Sequence, residues 1–350
     1  MAEGERIVDW QDLRTFTAKV FAGAGMSEKD AAVEADVLVW ANLRGVDSHG
    51  VQRVEEYLKR AEEGNMNPRA EIRVLRESAA ALYLEGDHAF GPVVTVFAME
   101  KVIAKAREQG VGWALIRNTT HQGAMGYYVE MAALAGLAGI AIVTNPPNMA
   151  PWGARAPGVH NSPIAIGVPG GRHRPLILDM APSIAAGGTV QVAIDKGIPI
   201  PDTWALDAEG RPTTDPKQVK ALRPAGEYKG SGLAMLFECL TSIMADNPLL
   251  VPTLLARGGV RPGKQNSVVA AVDIGFFGEV AGYGAHIDEL VQGIKALPRA
   301  AGCDEIMVPG EVEDRVSQER QQKGIPLPAG TWRKLAAAAE RFGLELPAAR

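Results

Sequence analysis

Short apolar runs alternate with helix-patterned segments from about Glu77 onward, and this alternation limits the fold more than any other feature of the chain. Alternation of this kind is typical of an α/β domain, in which helices cover a central sheet. The strand patterns cover residues 80–84, 111–116, 139–144, 162–168 and 176–179. The helix patterns cover residues 92–109, 127–135, 232–244, 286–297 and 312–323. The sequence therefore predicts an α/β core over residues 76–324.

The N-terminal segment carries helical patterns only. Apolar residues recur at helical spacing between Trp10 and Val20, and residues 27–30 (SEKD) have the pattern of a capping box that opens a second helix. A third helix is predicted from about Ser48, after the stop signal at Gly45.

A last helical pattern, at residues 332–342, has the same mix of polar and apolar positions as the N-terminal segment. We therefore predict that residues 325–350 pack back on residues 1–75. Together they would form a helical layer beside the α/β core.

Composition and charge exclude several classes of protein. The 350 residues are 47% hydrophobic and 22% charged, which is typical of a globular protein, and the formal net charge of −5 offers no basic surface for nucleic acid or an acidic membrane. The longest near-apolar run, residues 131–143, is too short to span a bilayer. The first ten residues are charged and do not have the apolar core of a secretory signal.

Cysteine and histidine usage predicts an intracellular protein without a metal site. Cys239 and Cys303 are far apart and form no CxxC pattern, so we expect reduced cysteines that serve in packing. This predicts a cytosolic location. The six histidines are scattered, without the HxH or HExxH spacing of metal ligands.

The segment 44–53, RGVDSHGVQR, is a candidate site of proton transfer. With Ser48 as a helix N-cap, His49 and Arg53 lie one turn apart on the same face. A neighbouring cation lowers the pKa of a histidine, and a neutral imidazole suits proton exchange with a substrate oxygen. An arginine can hold a carboxylate with two hydrogen bonds. The alternative is an ordinary cap that begins a solvated helix.

Ser48 and His49 are also candidates for a nucleophile and its base, but two observations argue against this. Adjacent residues of a helix do not face each other, so we expect no direct hydrogen bond between the two side chains. The GxSxG pattern of a hydrolase nucleophile is absent from the sequence.

The second candidate site is residues 118–128, NTTHQGAMGYY, where a predicted strand gives way to a helix. Gly123 and Gly126 allow the backbone to approach a ligand, and the following helix N-terminus favours a phosphate. The alternative is a glycine-rich turn with His121 as a polar cap. Neither the GxGxxG dinucleotide pattern nor the GxxxxGK[ST] phosphate loop occurs in the sequence.

Four further segments have both a functional and a structural interpretation. Residues 144–170 are rich in proline and glycine and form either a rigid binding wall or an ordered surface loop. Asp179, at the end of a predicted buried strand, would orient a histidine or a ribose hydroxyl, or cap the next turn. Lys229 at a helix start favours a bound anion there. Residues 305–311, EIMVPGE, predict a strand that ends in a Pro-Gly turn before a helix.

Several motifs, in this order and spacing, resemble the type-2 malate/L-lactate dehydrogenase family, a group of NAD(P)-dependent oxidoreductases that includes ureidoglycolate dehydrogenase and cyclic imino acid reductases. The motifs are DSHG with Arg53, THQGAMGYY, NPPNMAPWG, LDMAPS, DAEGRPTTDP, YKGSGLA and VPGE, and the similarity covers residues 8–315. The resemblance implies an α/β fold with a nicotinamide-binding core of non-Rossmann type, and an active site between this core and the helical layer. The missing GxGxxG pattern agrees with this family.

The resemblance also implies roles for individual residues. His49 would be the catalytic acid, supported by Ser48, and His121 is the alternative proton carrier. Arg53, His121 and Asn161 would bind the substrate. The cofactor, NAD or NADP, would be bound by His121, Gln122, Gly123, Ala124, Met125, Asp179, Met180, Ala181, Lys229, Gly230, Asp304, Val308, Pro309 and Gly310.

The implied reaction moves a hydride between NAD(P) and the carbon next to a carboxylate, so that a 2-hydroxy acid and a 2-oxo acid interconvert. Where family members that act on hydroxy acids often have lysine, and cyclic imino acid reductases can have aspartate, this chain has Thr189. Reduction of a cyclic imino acid such as piperideine-2-carboxylate is therefore the alternative, and a non-catalytic ligand-binding homologue is a third. The resemblance implies a homodimer that binds a small carboxylate.

Overall fold

The structure, a computed structural model, describes residues 5–350 apart from the side chains of residues 195 and 196. Its strands are β1 (Arg6–Val8), β2 (Arg73–Glu77), β3 (Ala81–Glu85), β4 (Val111–Thr119), β5 (Leu137–Thr144), β6 (Ile164–Val168), β7 (Leu176–Met180), β8 (Ala205–Leu206), β9 (Ala221–Leu222), β10 (Gln265–Asp273) and β11 (Ile325–Leu327). Its helices are α1 (Trp10–Gly23), α2 (Glu28–Leu43), α3 (Val54–Glu62), α4 (Gly91–Gln109), α5 (Gly126–Leu134), α6 (Gly187–Lys196), α7 (Tyr228–Glu238), α8 (Leu250–Leu254), α9 (Ile274–Phe277), α10 (Val280–Lys295), α11 (Glu311–Lys323) and α12 (Ala329–Phe342).

A mixed sheet of seven strands forms the centre of the protein, in the order β2-β3-β4-β10-β5-β6-β7. The pairing of β3 with β4 is parallel, and the other pairings are antiparallel. Helix α4 connects the parallel pair, as a crossover between parallel strands requires. The helices α4 and α5 pack in the same apolar cluster as the sheet, through fully buried side chains such as Met99 and Val129. The predicted α/β class is confirmed.

A second apolar cluster contains residues of α1, α2, α3 and α12. Leu13 of α1, Tyr57 of α3 and Leu335 of α12 are fully buried in it. The predicted start of α2 is confirmed, because the Ser27 hydroxyl accepts a hydrogen bond of 3.1 Å from the Asp30 N–H. The strands β1 and β11 pair in antiparallel fashion beside these helices.

Local sequence patterns predicted most elements of the core correctly, but they did not predict one central strand. The elements β3, α4, β4, α5 and β5 begin within two residues of their predicted starts. The sequence patterns did not include β10, although residues 266–271 are buried and pair with β4 on one side and β5 on the other. A strand with neighbours on both edges and helices or loops on both faces shows no alternation of polar and apolar residues, so its period is hidden.

Three further expectations need correction. Residues 305–310 form no strand, and an ion-paired network of Lys295, Glu305 and Glu311 holds this segment before α11. The strand before Asp179 is not buried, because β7 is at the edge of the sheet and residues 178–180 are exposed. The cysteines of the described chain are free and exposed, so the expected role in packing is wrong: Cys239 and Cys303.

No helix within residues 5–350 combines the length and the apolar character that a membrane crossing requires.

Candidate active site

A cavity of about 440 Å³ lies between the N-terminal helices and the seven-stranded sheet. One wall comes from α2 and the turns that follow it, and the other from the β4–α5 loop and the segments after β5 and β7. The sequence-predicted site residues that line the cavity are Ser48, His49, Arg53, His121, Gln122, Gly123, Ala124, Met125, Asn161, Asp179 and Ala181. The fold thus brings the two candidate histidine segments to one site.

The predicted helix start at Ser48 is wrong. Asp47–His49 and Val51–Arg53 form two short 3-10 turns, and α3 begins only after them. Gly50 between the turns is extended, with a ψ of −156°, and this interrupts the helix. As described, α3 has no side-chain cap, so Ser48 is available for another contact.

Asn42 of α2 and Arg320 of α11 hold this pair of turns in place. The Asn42 amide accepts a hydrogen bond from the Val51 N–H at 2.8 Å and donates one to the Asp47 carboxylate at 2.6 Å. Arg320 donates two hydrogen bonds to the same carboxylate, at 2.7 and 3.0 Å. A Cβ at Gly50 would lie 2.2 Å from the Asn42 amide oxygen, so only glycine fits there. No motif in the sequence indicated these contacts.

Ser48 and His49 form a hydrogen bond, with 2.9 Å between the hydroxyl oxygen and Nδ1. The expectation that these adjacent side chains would not meet is wrong, because it assumed an α-helix where the chain forms a 3-10 turn. Burial of the imidazole lowers the pKa of His49 to about 4, and the charge of Arg53 is the second cause. His49 is therefore neutral near pH 7, although the arginine contributes less than burial does.

Arg53 lines the same wall of the cavity and is held on two sides. Its Nε donates to the backbone oxygen of Ser48 at 2.7 Å, and its Nη1 donates to the Glu56 carboxylate at 2.7 Å. Its Nη2 has no hydrogen-bond partner in the described part of the chain. The guanidinium is thus oriented by the protein and keeps donors for a ligand.

His121 lies on the opposite wall and stacks on His49, with ring centroids 5.3 Å apart and an interplanar angle of 27°. Its Nδ1 is 2.5 Å from the Tyr57 hydroxyl and 3.3 Å from the Gly123 nitrogen. Burial lowers the pKa of His121 well below its usual range, and the charges of His49 and two nearby arginines lower it further. Both histidines of the cavity are therefore neutral near pH 7.

Asp179, in β7, binds the N-terminus of α5. The Gly126 N–H donates to its carboxylate at 2.7 Å. Part of Asp179 is exposed at the cavity, yet desolvation of its carboxyl group by the surrounding protein raises its pKa to about 6, against the effect of hydrogen bonds from the Met125 and Gly126 N–H groups. A protein carboxylate thus occupies the helix start at which the sequence predicted a phosphate.

Two buried polar atoms of cavity-lining residues have no partner among residues 5–350. They are the Gln122 Nε2, a donor, and the Gln265 Oε1, an acceptor. Leaving such a group unpaired costs about 1–3 kcal/mol, so both favour a polar ligand. Gly187 and Gly188 line the cavity nearby, and a Cβ at Gly188 would lie 3.4 Å from the Ser48 side chain. The cavity therefore offers a polar ligand one unpaired donor and one unpaired acceptor, and Gly187 and Gly188 leave room for it to approach the backbone.

Comparison with known proteins confirms the family that the sequence motifs resemble. The malate/L-lactate dehydrogenase family matches residues 8–336, which is nearly the whole chain. The chain belongs to this family. Its members are oxidoreductases that use nicotinamide cofactors.

Three similar proteins show the range of this dehydrogenase family. L-sulfolactate dehydrogenase from Methanocaldococcus jannaschii is 36% identical over 329 residues, which cover 92% of this chain and 93% of the relative. The structure of malate dehydrogenase from Entamoeba histolytica has a TM-score of 0.93 at 26% identity and covers 98% of this chain and 100% of that one. The structure of delta1-piperideine-2-carboxylate reductase from Pseudomonas syringae has a TM-score of 0.84 at 27% identity and covers 95% and 99%.

Some residues that the family resemblance assigns to the cofactor lie outside the main cavity: Met180, Lys229, Gly230, Asp304, Val308, Pro309 and Gly310. Val308 and Pro309 instead line a second cavity of about 270 Å³. Arg44 links the two cavities. It lines the first, donates to the Gly310 carbonyl oxygen at 3.4 Å, and pairs at 2.6 Å with Asp314, which lines the second.

Gly230 and Lys229 lie at the start of α7, as predicted. A Cβ at Gly230 would lie 2.3 Å from the Pro182 carbonyl oxygen, so this glycine lets α7 pack against the segment after β7. Lys229 and Asp304 are exposed. Their part in cofactor binding stays a prediction.

The sequence motifs missed several residues that shape this dehydrogenase site. Asn148 was not among the predicted site residues, yet it holds the predicted Asn161. Its amide donates to the Asn161 amide oxygen at 2.6 Å and accepts from the Asn161 backbone N–H at 2.9 Å, and both residues line the cavity. Tyr57 contacts His121 from behind the cavity wall. Its position four residues after Arg53 is the available signal, since residues at this spacing share a helix face.

Proposed function

We propose that this protein is an NAD(P)-dependent dehydrogenase that interconverts a small 2-hydroxy acid and the matching 2-oxo acid. The observation that carries the proposal is the stack of two neutral histidines, His49 and His121, in one cavity with Arg53. A neutral imidazole can exchange a proton with a substrate oxygen, and a guanidinium can bind the substrate carboxylate. Both groups are needed where a hydride moves to or from the carbon beside a carboxylate.

His49 is the proton carrier of the proposed reaction. During oxidation its unprotonated ring nitrogen takes the proton of the substrate hydroxyl, and during reduction a protonated His49 returns it to the carbonyl oxygen. Ser48 supports both states, because a hydroxyl can donate to Nδ1 or accept from it. Arg53, held by the Ser48 backbone and by Glu56, orients the carboxylate. A bound nicotinamide supplies hydride acceptance and donation.

Residues of both cavities would hold the cofactor. We assign the nicotinamide end to residues 121–125 and 179–181, with Asn161 and His121 also facing the substrate. The unpaired Gln122 donor and Gln265 acceptor match the carboxamide of nicotinamide. Residues 308–310 and the second cavity would hold the distal end, together with Lys229, Gly230 and Asp304. This binding mode uses no GxGxxG turn and is therefore of a non-Rossmann type.

Cofactor binding can be tested by thermal unfolding. A ligand that binds only the folded state raises the melting temperature, by an amount that corresponds to about 2.7 kcal/mol at one hundred times its Kd. We expect an increase with NADH, NADPH or both, and the larger shift identifies the preferred cofactor. The absence of a shift with either one, at concentrations far above micromolar, would contradict the proposed function.

Reduction of a cyclic imino acid is the second candidate function, because the structure resembles the Pseudomonas syringae reductase. In that reaction His49 would serve a ring nitrogen instead of an oxygen. A panel of 2-oxo acids and piperideine-2-carboxylate, each with NADH and NADPH, separates the candidates. Highest kcat/KM with a 2-oxo acid supports the first. Cofactor binding without turnover of any substrate would instead indicate a non-catalytic homologue.

We also propose that the protein is a homodimer. The apolar side chains Leu233, Leu236 and Leu240 are exposed along α7 and the π-helical turn Cys239–Ile243 that continues it. A stripe of exposed apolar residues is typical of an interface. Light scattering that gives a monomer mass at working concentration would contradict this. A cytosolic location and the domain boundary near residue 75 stay predictions.

A further inference from the structure

We propose that Tyr57 is a positioning residue that fixes His121 in the tautomer with its proton on Nε2, so that His121 donates a hydrogen bond to the substrate oxygen and does not carry the proton. This inference rests on the proposed function and deepens it, because it gives the two stacked histidines different roles. Tyr57 is not among the residues that line the cavity, so it acts through His121.

The tautomer follows from two donors that face one nitrogen. The Gly123 backbone nitrogen is 3.3 Å from the His121 Nδ1, and the Tyr57 hydroxyl is 2.5 Å from it. A backbone N–H can only donate, so the Nδ1 that it faces is unprotonated. The Tyr57 hydroxyl then donates to the same nitrogen. In a neutral imidazole the remaining proton is on Nε2.

The Tyr57 hydroxyl keeps its proton and so remains able to donate. It is fully buried, and burial raises the pKa of its hydroxyl well above the usual range. The ring of Phe90 packs edge-on against it, with centroids 6.2 Å apart, and fixes the direction of the hydroxyl. The phenol therefore stays protonated over the whole range in which an enzyme of this kind works.

A second proton on His121 would break these contacts. It would point an Nδ1–H at the Gly123 N–H and deprive the Tyr57 hydroxyl of its acceptor. The charged and titratable groups that act on His121 are His49, Arg53 and Arg60, and each disfavours a positive charge there. The Nδ1 of His49 meets only a hydroxyl in the described structure, with no backbone N–H directed at it, so proton uptake takes place at His49. The Nε2–H of His121 then stabilises negative charge on the substrate oxygen.

Nitrogen NMR of the histidine-labelled protein tests this without any substrate. In the cofactor-free wild type, we expect long-range proton–nitrogen correlations of His121 to show the Nε2–H tautomer from about pH 5 to about pH 9. His121→Gln identifies its signals. Tyr57→Phe keeps the ring but removes one donor, and we expect a mixture of tautomers or protonation at higher pH.

Tyr128→Phe is the matched control. Tyr128 is also fully buried, but its hydroxyl donates to the Gln122 carbonyl oxygen and not to a histidine. Its loss should leave the His121 tautomer unchanged. In the full enzyme, Tyr57→Phe should lower kcat about tenfold, the usual worth of one hydrogen bond to a reacting group, with an unchanged Kd for the cofactor.

Three results would overturn the proposal. An Nδ1–H tautomer or an imidazolium at His121 in the wild type would do so whether or not Tyr57→Phe folds. Unchanged His121 signals in a folded Tyr57→Phe protein would show that Gly123 alone fixes the tautomer of His121. An unchanged kcat in this variant would show that Tyr57 has no role in catalysis. Failure of the proposed function appears separately, as absence of turnover in the substrate panel.

Discussion

The ring centroids of His49 and His121 are 5.3 Å apart, but the two histidines make different contacts through their Nδ1 atoms. In the turn after α2, the Nδ1 of His49 meets a serine hydroxyl that can donate or accept. On the core, the Nδ1 of His121 meets a buried phenol and a backbone N–H. Two residues of one type, in one cavity, therefore differ in their ability to change protonation state. The contact at Nδ1, and not exposure, sets this difference.

The largest expected effect on kcat comes from replacing His49, the residue of this pair that carries the proton. His49→Ala should lower kcat by ~10²–10⁴-fold, because it removes a positioned acid–base group. The Kd for the cofactor should change little. His121→Gln is the comparison variant, since an amide keeps one N–H donor, and it should lower kcat about tenfold, as Tyr57→Phe does, because the donor acts on the charge that develops on the substrate oxygen. Steady-state kinetics of both variants decides the matter: a greater loss of kcat in His121→Gln would reverse the two roles.

Arg53→Lys should have the next largest effect. A lysine keeps the charge but loses the planar fork that matches a carboxylate. A hydrogen bond to a charged group is worth about 1.5–3 kcal/mol, so KM for the 2-oxo acid should rise roughly 10- to 100-fold. Arg60→Lys, which changes an arginine that also pairs with Glu56 but does not line the cavity, is the control and should raise KM much less. A weakened cofactor with an unchanged KM for the acid would assign Arg53 to the wrong ligand.

Of the two histidines, only His49 should contribute to the pH dependence of kcat/KM. With the pKa of His49 near 4, its protonation should lower kcat/KM for oxidation about tenfold per unit below about pH 4, because a protonated His49 cannot accept the substrate proton. A change near pH 6 would come from Asp179, which lines the same cavity and has a pKa of about 6. The same lowered pKa makes folding stability fall between about pH 6.5 and about pH 4, because the unfolded chain binds this proton first.

Short assays after a pH jump separate the two effects, with circular dichroism as the check on folding. Loss of the positive charge in Arg53→Ala should move the acid limb to higher pH, since Arg53 is the second cause of the lowered pKa. A wild-type limb near pH 6.5 would show that His49 is not the titrating group or is not held neutral by its surroundings.

Ser48→Ala should give the smallest effect. It removes one neutral hydrogen bond, worth about 1 kcal/mol, so kcat should fall about fivefold. The melting temperature should hardly change, because Ser48 caps no helix in the described structure and Asn42 and Arg320 hold the turn. A large drop in the melting temperature would mean that the serine has the capping role that the sequence predicted.

Helix α4 and strand β10 show which parts of the fold the sequence can predict. Local residues determine where α4 begins and ends: Pro92 lies in its first turn, and Gly110 has a left-handed conformation at its end (φ 80°). Strand β10 depends on partners far away in the sequence: Val268 pairs with Leu115 on one side and Ile142 on the other. Local patterns contain no information about such partners.

The same division holds at the candidate site. The motifs around His49 and His121 identified residues that meet in the cavity, because their order matches a known family. The hydrogen bond between Ser48 and His49 escaped prediction, since it requires a 3-10 turn that Asn42 and Arg320 impose from two other helices. The motifs included Gln122 but not Gln265, and the unpaired atom of each could not be predicted, because burial without a partner is visible only after folding.

The pairing of Arg320 with Asp47 joins residues 273 positions apart in the chain. The turn that presents His49 therefore gains part of its support from a helix that is synthesised long after it. Contacts between such distant segments form late, because a long stretch of chain must be ordered first. During refolding, the N-terminal helices can form well before catalysis is possible. Recovery of activity should then lag behind recovery of the helical signal, and the delay measures the docking of α11.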